Sequence, residues 1–321
     1  MMQFRSSGWN SGRGRQMNIC VAVVVALATA TLSLPAAASA APLPLGPVYG
    51  DTLDDATSSY SSAVAGSRHA QMIGRTLTHR VVIDAGTTAS DYAPAIHALS
   101  PVSHVMAELF DSSDVKRTSQ AAYTARASEY ISAFGSEINI YEIGNEINGE
   151  WLGTPASVVA KQYAAYQKVK AAGLKTALTG YYNPDCWSNQ SHAMLPWLAA
   201  NIPADEKAGL DFVLVSYYEV DCNNHRPTQT EWTSIFAQLH TMFPNARLGI
   251  GEVGLSTAVG SSATRLAKAM NILTYYYGLV PRLPDPRIYV RGGFWWYGQN
   301  DLYPYTTRPL WTTFENAIRS Y

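Results

Sequence analysis

From residue 46 onward, short apolar runs alternate with longer amphipathic stretches, and the pattern repeats eight times. The runs are almost continuously apolar, which is typical of parallel strands covered on both faces. By subtraction of their first residue numbers, they recur every 24 to 41 residues, which leaves room for a strand, a helix and two loops. The predicted strands are Gly46–Gly50, Thr78–Asp84, Val102–Phe110, Ile138–Glu146, Lys175–Tyr181, Phe212–Tyr218, Arg247–Glu252 and Ile288–Trp296.

Helix signals fill the spaces between these strands. The clearest helix follows Thr154, a good N-cap, starts with Pro155 and ends before Gly173, in agreement with the residue preferences at helix ends. The predicted helices include Ser119–Phe134, Pro155–Ala172, Thr230–Phe243, Ser262–Leu279 and Arg308–Ser320. Eight strand–helix units in one uninterrupted domain over residues 42–321 predict an α/β fold of the (β/α)8 or TIM barrel type.

An open, doubly wound sheet is the alternative fold. It requires a glycine-rich turn after the first strand. The segment Gly249–Gly254 matches G-x-G-x-x-G, but it follows the seventh predicted strand and carries Glu252 where a pyrophosphate would lie. We interpret this match as coincidental.

Residues 1–40 predict a secretory signal peptide. Three arginines precede the apolar run Ile19–Leu34, and the small residues Ala38–Ala40 form a cleavage site. A retained membrane anchor is the alternative, although the run is short for a full span. We therefore expect a secreted or periplasmic protein that has no membrane association after cleavage.

Two cysteines, Cys186 and Cys222, follow the signal segment. An exported protein with two cysteines is expected to pair them as a disulfide. The chain is 47% hydrophobic and 15% charged with a net charge of −1, which indicates a globular protein and gives no sign of nucleic-acid binding. We expect it to be a monomer.

Two carboxylates lie at the ends of predicted strands, Glu146 on the fourth and Glu252 on the seventh. Catalytic groups of a barrel come from the C-terminal ends of its strands. Two carboxyl groups about 5–5.5 Å apart are the arrangement that retaining glycoside hydrolases use. The alternative is a pair of buried acids bonded to barrel Tyr and Arg groups. Glu142 is more typical of a bonded interior acid, and for four further acids both a sugar contact and a solvated loop position stay open: Asp84, Glu108, Glu219 and Asp221.

The predicted strand ends hold almost no histidine, and the sequence has neither HExxH nor G-x-S-x-G. Metal-dependent hydrolases and serine hydrolases are therefore not indicated, and we expect no metal or other cofactor.

The segments Ile143–Glu146 and Gly251–Glu252, followed by tryptophan after the eighth strand, resemble those of clan A glycoside hydrolases, which are retaining enzymes on a (β/α)8 barrel. The resemblance implies that Glu146 is the acid/base and Glu252 the nucleophile. It also implies that Asn145 binds the 2-hydroxyl of the sugar at the cleaved bond. The family within the clan is not assigned.

The resemblance extends to aromatic residues. It implies that Tyr217 or Tyr218 orients the nucleophile, and that Trp295 or Trp296 lies under the sugar. The clan often has an arginine near the end of strand two, whereas here Arg80 comes early in the strand and Asp84 ends it, so the sequence does not establish a positive charge beside the nucleophile. Two tryptophans that follow strands four and five are candidates for stacking on sugar rings, namely Trp151 and Trp187.

The sequence thus predicts a retaining glycoside hydrolase that cleaves O-glycosidic bonds of a carbohydrate by double displacement. Two other functions stay open. One is a non-catalytic carbohydrate-binding surface protein on a barrel scaffold, and the other is a transglycosylase or lyase that uses the same site. The sugar and its linkage are not predicted.

Overall fold

A computed structural model describes residues 45–184, 187–221, 223–279 and 282–320. Eight parallel strands close into a barrel in which each strand pairs with its sequence neighbours and β1 pairs with β8. The predicted (β/α)8 barrel is therefore confirmed. The strands are β1 Val48–Leu53, β2 Thr78–Val82, β3 His104–Glu108, β4 Ile140–Gly144, β5 Thr176–Tyr181, β6 Phe212–Tyr217, β7 Arg247–Val253 and β8 Ile288–Trp295.

Helices surround the barrel, and those predicted from the sequence are present with ends within one residue of the expected ones. The Thr154 hydroxyl accepts a hydrogen bond from the Ser157 backbone N–H at 3.3 Å, so the N-cap signal acts as predicted. The helices are α1 Ala56–Met72, α2 Ala89–Leu99, α3 Ser112–Val115, α4 Gln120–Phe134, α5 Pro155–Ala171, α6 Met194–Asn201, α7 Ala204–Gly209, α8 Gln229–Met242, α9 Ala263–Leu279, α10 Gly298–Leu302 and α11 Pro309–Arg319. None of these described helices is long and apolar enough to span a membrane.

Apolar side chains form two layers because successive residues of a strand point to opposite faces. On β6, Phe212 and Leu214 belong to a small cluster inside the barrel, whereas Val213 and Val215 belong to the large cluster between strands and helices. Whether a residue has an odd or even place in its strand therefore decides if its side chain faces the barrel axis or the helices.

A buried polar chain links β1, β2 and α1. His79 pairs through Nδ1 with Asp51 at 2.8 Å and through Nε2 with the Ser67 hydroxyl at 2.7 Å. The Tyr303 hydroxyl donates to the other oxygen of Asp51 at 2.5 Å. The order of Asp51, His79 and Ser67 is that of a serine hydrolase triad. All three side chains are fully buried, however, so a substrate cannot reach them, and we interpret this hydrogen-bonded network as structural.

Candidate active site

Glu146 and Glu252 line the same cavity, which has a volume of about 420 Å³ and lies at the C-terminal ends of the strands. The fold thus brings together two residues that are 106 positions apart in the sequence (252 − 146). The described lining combines carboxylates, hydroxyls and aromatic rings, and it consists of Asp111, Ser112, Asn145, Glu146, Trp151, Tyr181, Tyr218, Asp221, Glu252, Leu255, Ser256, Trp296 and Tyr297.

A β-bulge in β7 turns Glu252 toward the barrel axis. Ile250 packs on the helix side, so strict alternation would place Glu252 on that side as well. The register shifts, however, with Val215 opposite Ile250 and Ser216 opposite Glu252, which leaves Gly251 as the extra residue. A Cβ at Gly251 would lie 2.6 Å from Leu214 Cβ, so glycine is required at this bulge.

Glu252 is held by two donors of different kinds. Arg80 Nη1 donates to its Oε2 at 2.7 Å, and the Tyr218 hydroxyl donates to its Oε1 at 2.8 Å. A guanidinium can only donate and is always charged, so this contact stabilises the ionised carboxylate.

Arg80 also binds two acids deeper in the barrel. Its Nε lies 2.6 Å from Glu142 and its Nη2 lies 3.0 Å from Glu108, and all three side chains are fully buried. The sequence left open whether Arg80 supports Glu252. It does, because residue 80 points into the barrel and its long side chain reaches the next layer. Glu142 is the bonded interior acid that the sequence indicated. Glu108 is a second one, and it contacts neither a sugar site nor solvent.

The backbone at Glu146 is strained. Its φ is 48°, in the left-handed region that costs a residue with a Cβ about 1–2 kcal/mol. The turn that follows is closed by a hydrogen bond from the Gly149 N–H to the Glu146 carbonyl at 2.8 Å. A Cβ at Gly144 would lie 2.6 Å from Ile147 Cγ2, so the tight turn also depends on glycine. Such strain persists where the surrounding structure fixes a functional side chain.

Glu146 receives hydrogen bonds from two serines. Ser216 donates to its Oε1 at 2.7 Å and Ser112 donates to its Oε2 at 3.0 Å. A hydroxyl can also accept, so these partners suit both the protonated and the ionised acid. Ser216 also lies opposite Glu252 in the strand register, so this residue bonds to one carboxyl group and is the strand neighbour of the other.

The pKa values of both carboxyl groups lie above their ordinary range. Burial raises the pKa of Glu252 to about 8, while Arg80 opposes this rise and the charge of Glu146 adds to it. Burial also raises the pKa of Glu146, and the two serine hydroxyls oppose the change. Because a negative charge on one carboxyl opposes ionisation of the other, we expect the pair to hold one proton at neutral pH.

Strand alternation separates the aromatic candidates into two groups. Tyr218 and Trp296 line the cavity. Tyr217 instead points outward, and its hydroxyl donates to the His225 carbonyl at 2.7 Å. Trp295 is likewise fully buried, and its Nε1 donates to Asp301 at 2.9 Å. The structure therefore brings one member of each adjacent pair to the carboxylates.

Trp151 forms one wall of the cavity and is 40% exposed. Trp187 packs behind it with ring centroids 6.3 Å apart and planes 15° from parallel, and Trp187 itself is only 9% exposed. The Tyr181 ring packs edge-on against both indoles. Trp151 thus offers a free face to a ligand, whereas Trp187 supports it. The predicted disulfide between Cys186 and Cys222 lies outside the described residues.

Asn145 lines the cavity and is 1% exposed, and its amide oxygen has no hydrogen-bond partner among the described groups. A buried acceptor of this kind requires a donor, which a bound ligand can supply.

Sequence reasoning missed several residues of the site. Ser112 begins α3 after β3, and Ser216 occupies an inward position on β6. Their position at strand ends was the available signal, but serine at a strand end is too common to be distinctive. Within the described ranges, no group of three or more His, Cys, Asp or Glu side chains is placed to hold a metal ion.

The described fold and site define a (β/α)8 barrel protein with a buried carboxylate pair at the strand ends. No protein-family model and no curated protein sequence matches the chain. Solved structures do match it in fold. One is a GH5-4 broad specificity endoglucanase from an uncultured bacterium, with a TM-score of 0.53 and 14% identity over 84% of this chain and 93% of that one.

A second similar structure is PbGH5A, a glycoside hydrolase family 5 enzyme from Prevotella bryantii B14, with a TM-score of 0.53 and 13% identity over 80% of this chain and 85% of that one. A third is Dispersin B, with a TM-score of 0.52 and 10% identity over 86% and 99% of the two chains. These likenesses establish the fold, and it is the barrel that the clan A resemblance implied.

Proposed function

We propose that the protein is a retaining glycoside hydrolase in which Glu146 is the acid/base and Glu252 the nucleophile. The observation that carries this proposal is the different bonding of the two carboxyls within one cavity. A guanidinium and a phenol hold Glu252, whereas hydroxyls alone hold Glu146. The contact with Arg80 favours an ionised Glu252, so the shared proton resides on Glu146.

In the first step Glu252 attacks the anomeric carbon while Glu146 gives its proton to the leaving oxygen, and the glycosidic bond breaks. In the second step Glu146, now ionised, takes a proton from water as the water oxygen attacks the anomeric carbon. The bond to Glu252 then breaks, which restores both carboxyls. Arg80 and Tyr218 stabilise the charge that returns to Glu252, and Asn145 binds a hydroxyl of the sugar.

A non-catalytic binding protein on the same scaffold is less well supported. Carbohydrate binding requires neither the burial of a carboxylate pair nor the strained backbone at Glu146, and both destabilise the fold. The solved structures with this barrel also include enzymes described as an endoglucanase and a glycoside hydrolase. Transglycosylation would use the same first step with a sugar in place of water, and product analysis distinguishes it from hydrolysis.

The experiment is a screen of aryl glycosides and polysaccharides with wild type and two variants, Glu252→Ala and Glu146→Gln. Both variants are expected to lose nearly all turnover of unactivated substrates. With a dinitrophenyl leaving group, which needs no protonation, Glu146→Gln keeps formation of the glycosyl-enzyme whereas Glu252→Ala does not.

Glu206→Gln is the matched control, because Glu206 is a fully buried acid bonded to Gln162 and does not line the cavity. NMR of the first product anomer then reports retention or inversion. Wild-type turnover in either site variant, or an inverted product, would refute the assignment.

We also propose that the mature chain is exported, that Cys186 pairs with Cys222, and that the protein is a monomer. Mass spectrometry of the secreted protein reports the mature N-terminus and the disulfide, and sedimentation reports the assembly state. A reduced thiol pair or a retained residue 1–40 segment would contradict the first two proposals.

A further inference from the structure

The candidate active site carries charge of one sign. Four of its lining residues are acids, namely Asp111, Glu146, Asp221 and Glu252, and its described lining contains no Lys, Arg or His. Arg80 lies next to Glu252 but contacts three carboxylates at once, so it adds no net positive charge to the cavity. A cleft lined by charges of one sign focuses the electrostatic potential that acts on an entering ligand.

Two of these acids stand apart from the reacting pair. Asp111 follows β3, and its Oδ1 accepts a hydrogen bond from the Ser113 N–H at 2.8 Å, which fixes the carboxylate at the cavity wall. Asp221 follows β6 and is exposed at the rim, with its Oδ2 at 3.5 Å from the Tyr181 hydroxyl. The proposed double displacement uses neither carboxylate.

Asn145 provides an independent indication of the ligand. Its buried amide oxygen lines the same cavity without a partner among the described groups, and an unpaired acceptor needs a donor. Sugar hydroxyls and sugar amines donate hydrogen bonds, whereas a carboxylate or sulfate only accepts them. The acids and the amide oxygen therefore both favour a ligand that donates hydrogen bonds.

We propose that this site takes neutral or amino-bearing saccharides, and that Asp111 and Asp221 exclude saccharides that carry a carboxylate or sulfate beside the cleaved bond. This inference deepens the proposed glycosidase function and depends on it. A hydroxyl or ammonium group gains charge-assisted hydrogen bonds from the two carboxylates. An anionic group entering the cavity would lose its hydration and meet like charges with no compensating cation.

The test compares kcat/KM for the most active neutral glycoside of the screen with that for its C6-oxidised uronate. The enzymes are wild type and the double variant Asp111→Asn and Asp221→Asn, each at low and high salt. Asparagine keeps the N-cap at residue 111, so the fold is retained. Asp205→Asn is the matched control, since that carboxylate lies on α7 and bonds to the Tyr163 hydroxyl.

In wild type the uronate is expected to react about 100-fold less efficiently than the neutral substrate. In the double variant the ratio of kcat/KM for the neutral substrate to that for the uronate should be about 10-fold smaller, and high salt should reduce this ratio further. Asp205→Asn should leave the ratio unchanged. Comparable turnover of the two substrates by wild type, or an unchanged gap in the double variant, would overturn the inference.

Binding of the Glu252→Gln variant to immobilised glycans distinguishes failure of the charge selection from failure of the glycosidase proposal. Binding to neutral and amino glycans without binding to uronic or sulfated ones supports the inference. Equal binding to acidic and neutral glycans overturns the charge selection alone. Absence of binding to every glycan, together with no substrate cleaved by wild type, overturns the glycosidase proposal and the charge selection with it.

Discussion

Replacing Glu146 by Gln should stabilise the fold, and the gain should grow with pH. In the unfolded chain a glutamate loses its proton near pH 4.3, whereas in the fold burial raises the pKa of both carboxyls, that of Glu252 to about 8, so we expect the pair to keep one proton, which we place on Glu146. Between these pKa values the native state binds more protons than the unfolded state, so wild-type stability falls as pH rises. The loss is about 1.4 kcal/mol per pH unit, or about 3 kcal/mol between pH 5 and pH 7.

Glutamine resembles the protonated acid and does not titrate, so Glu146→Gln avoids this loss and leaves the contact between Arg80 and Glu252 in place. Wild type and variant should be nearly equally stable at pH 5 and diverge up to about pH 8. Urea unfolding followed by tryptophan fluorescence, repeated across this range, measures the difference. A gain that is constant or that shrinks as pH rises would show that the carboxyl pair does not hold a proton in the folded state.

Glu206→Gln is a control for this measurement as well. Burial raises the pKa of Glu206 to about 7, and the residue lies outside the cavity. It should give a pH-dependent gain of the same sign, because glutamine again removes a carboxyl that the fold keeps protonated. Only Glu146→Gln should also abolish turnover of unactivated substrates, so the two variants separate stability from catalysis.

Further substitutions test other parts of the site. Arg80→Met should lower kcat by about 10²–10³-fold and destabilise the fold by about 3–5 kcal/mol in urea unfolding, because buried carboxylates lose their cation; near-normal kcat would contradict its contact with Glu252. Gly251→Ala should lower the free energy of unfolding by about 1–3 kcal/mol and reduce kcat, because the added Cβ would clash with Leu214. Gly278→Ala is the control and should not destabilise the fold, because a Cβ there meets nothing within 4 Å. His79→Gln should lower the free energy of unfolding by about 1–3 kcal/mol without a change in kcat, as measured by paired unfolding and activity assays; a selective loss of activity would assign the buried chain a role in catalysis.

The sequence by itself determined the barrel and the strands that carry the two candidate carboxylates. Near-continuous apolar runs at regular spacing indicate parallel strands covered on both faces, and that pattern is local. Helix ends were predicted within one residue because caps such as Thr154 and Pro155 act on neighbouring backbone groups. The C-terminal strand ends lie within three residues of the predicted ones, which is close enough to place Glu146 just after β4 and Glu252 near the end of β7.

Only the tertiary structure decided which side chains meet. The choice between Tyr217 and Tyr218, and between Trp295 and Trp296, depends on which face of the strand looks inward, and a one-residue error reverses it. The bulge at Gly251 breaks that alternation and turns Glu252 to the axis. Such register shifts arise from pairing with β6, and residues so distant in sequence leave no local signal of their contact.

The contacts of Arg80 are a second feature that only the tertiary structure decided. Its position early in β2 left its contact with Glu252 unpredicted, yet the barrel closes so that one guanidinium contacts acids from β3, β4 and β7. The reach of a long side chain across a closed barrel depends on radius and register, which are properties of the assembled sheet. The sequence thus identified the two candidate carboxylates, and the closed barrel supplied the burial and the hydrogen-bond partners that shift their pKa values.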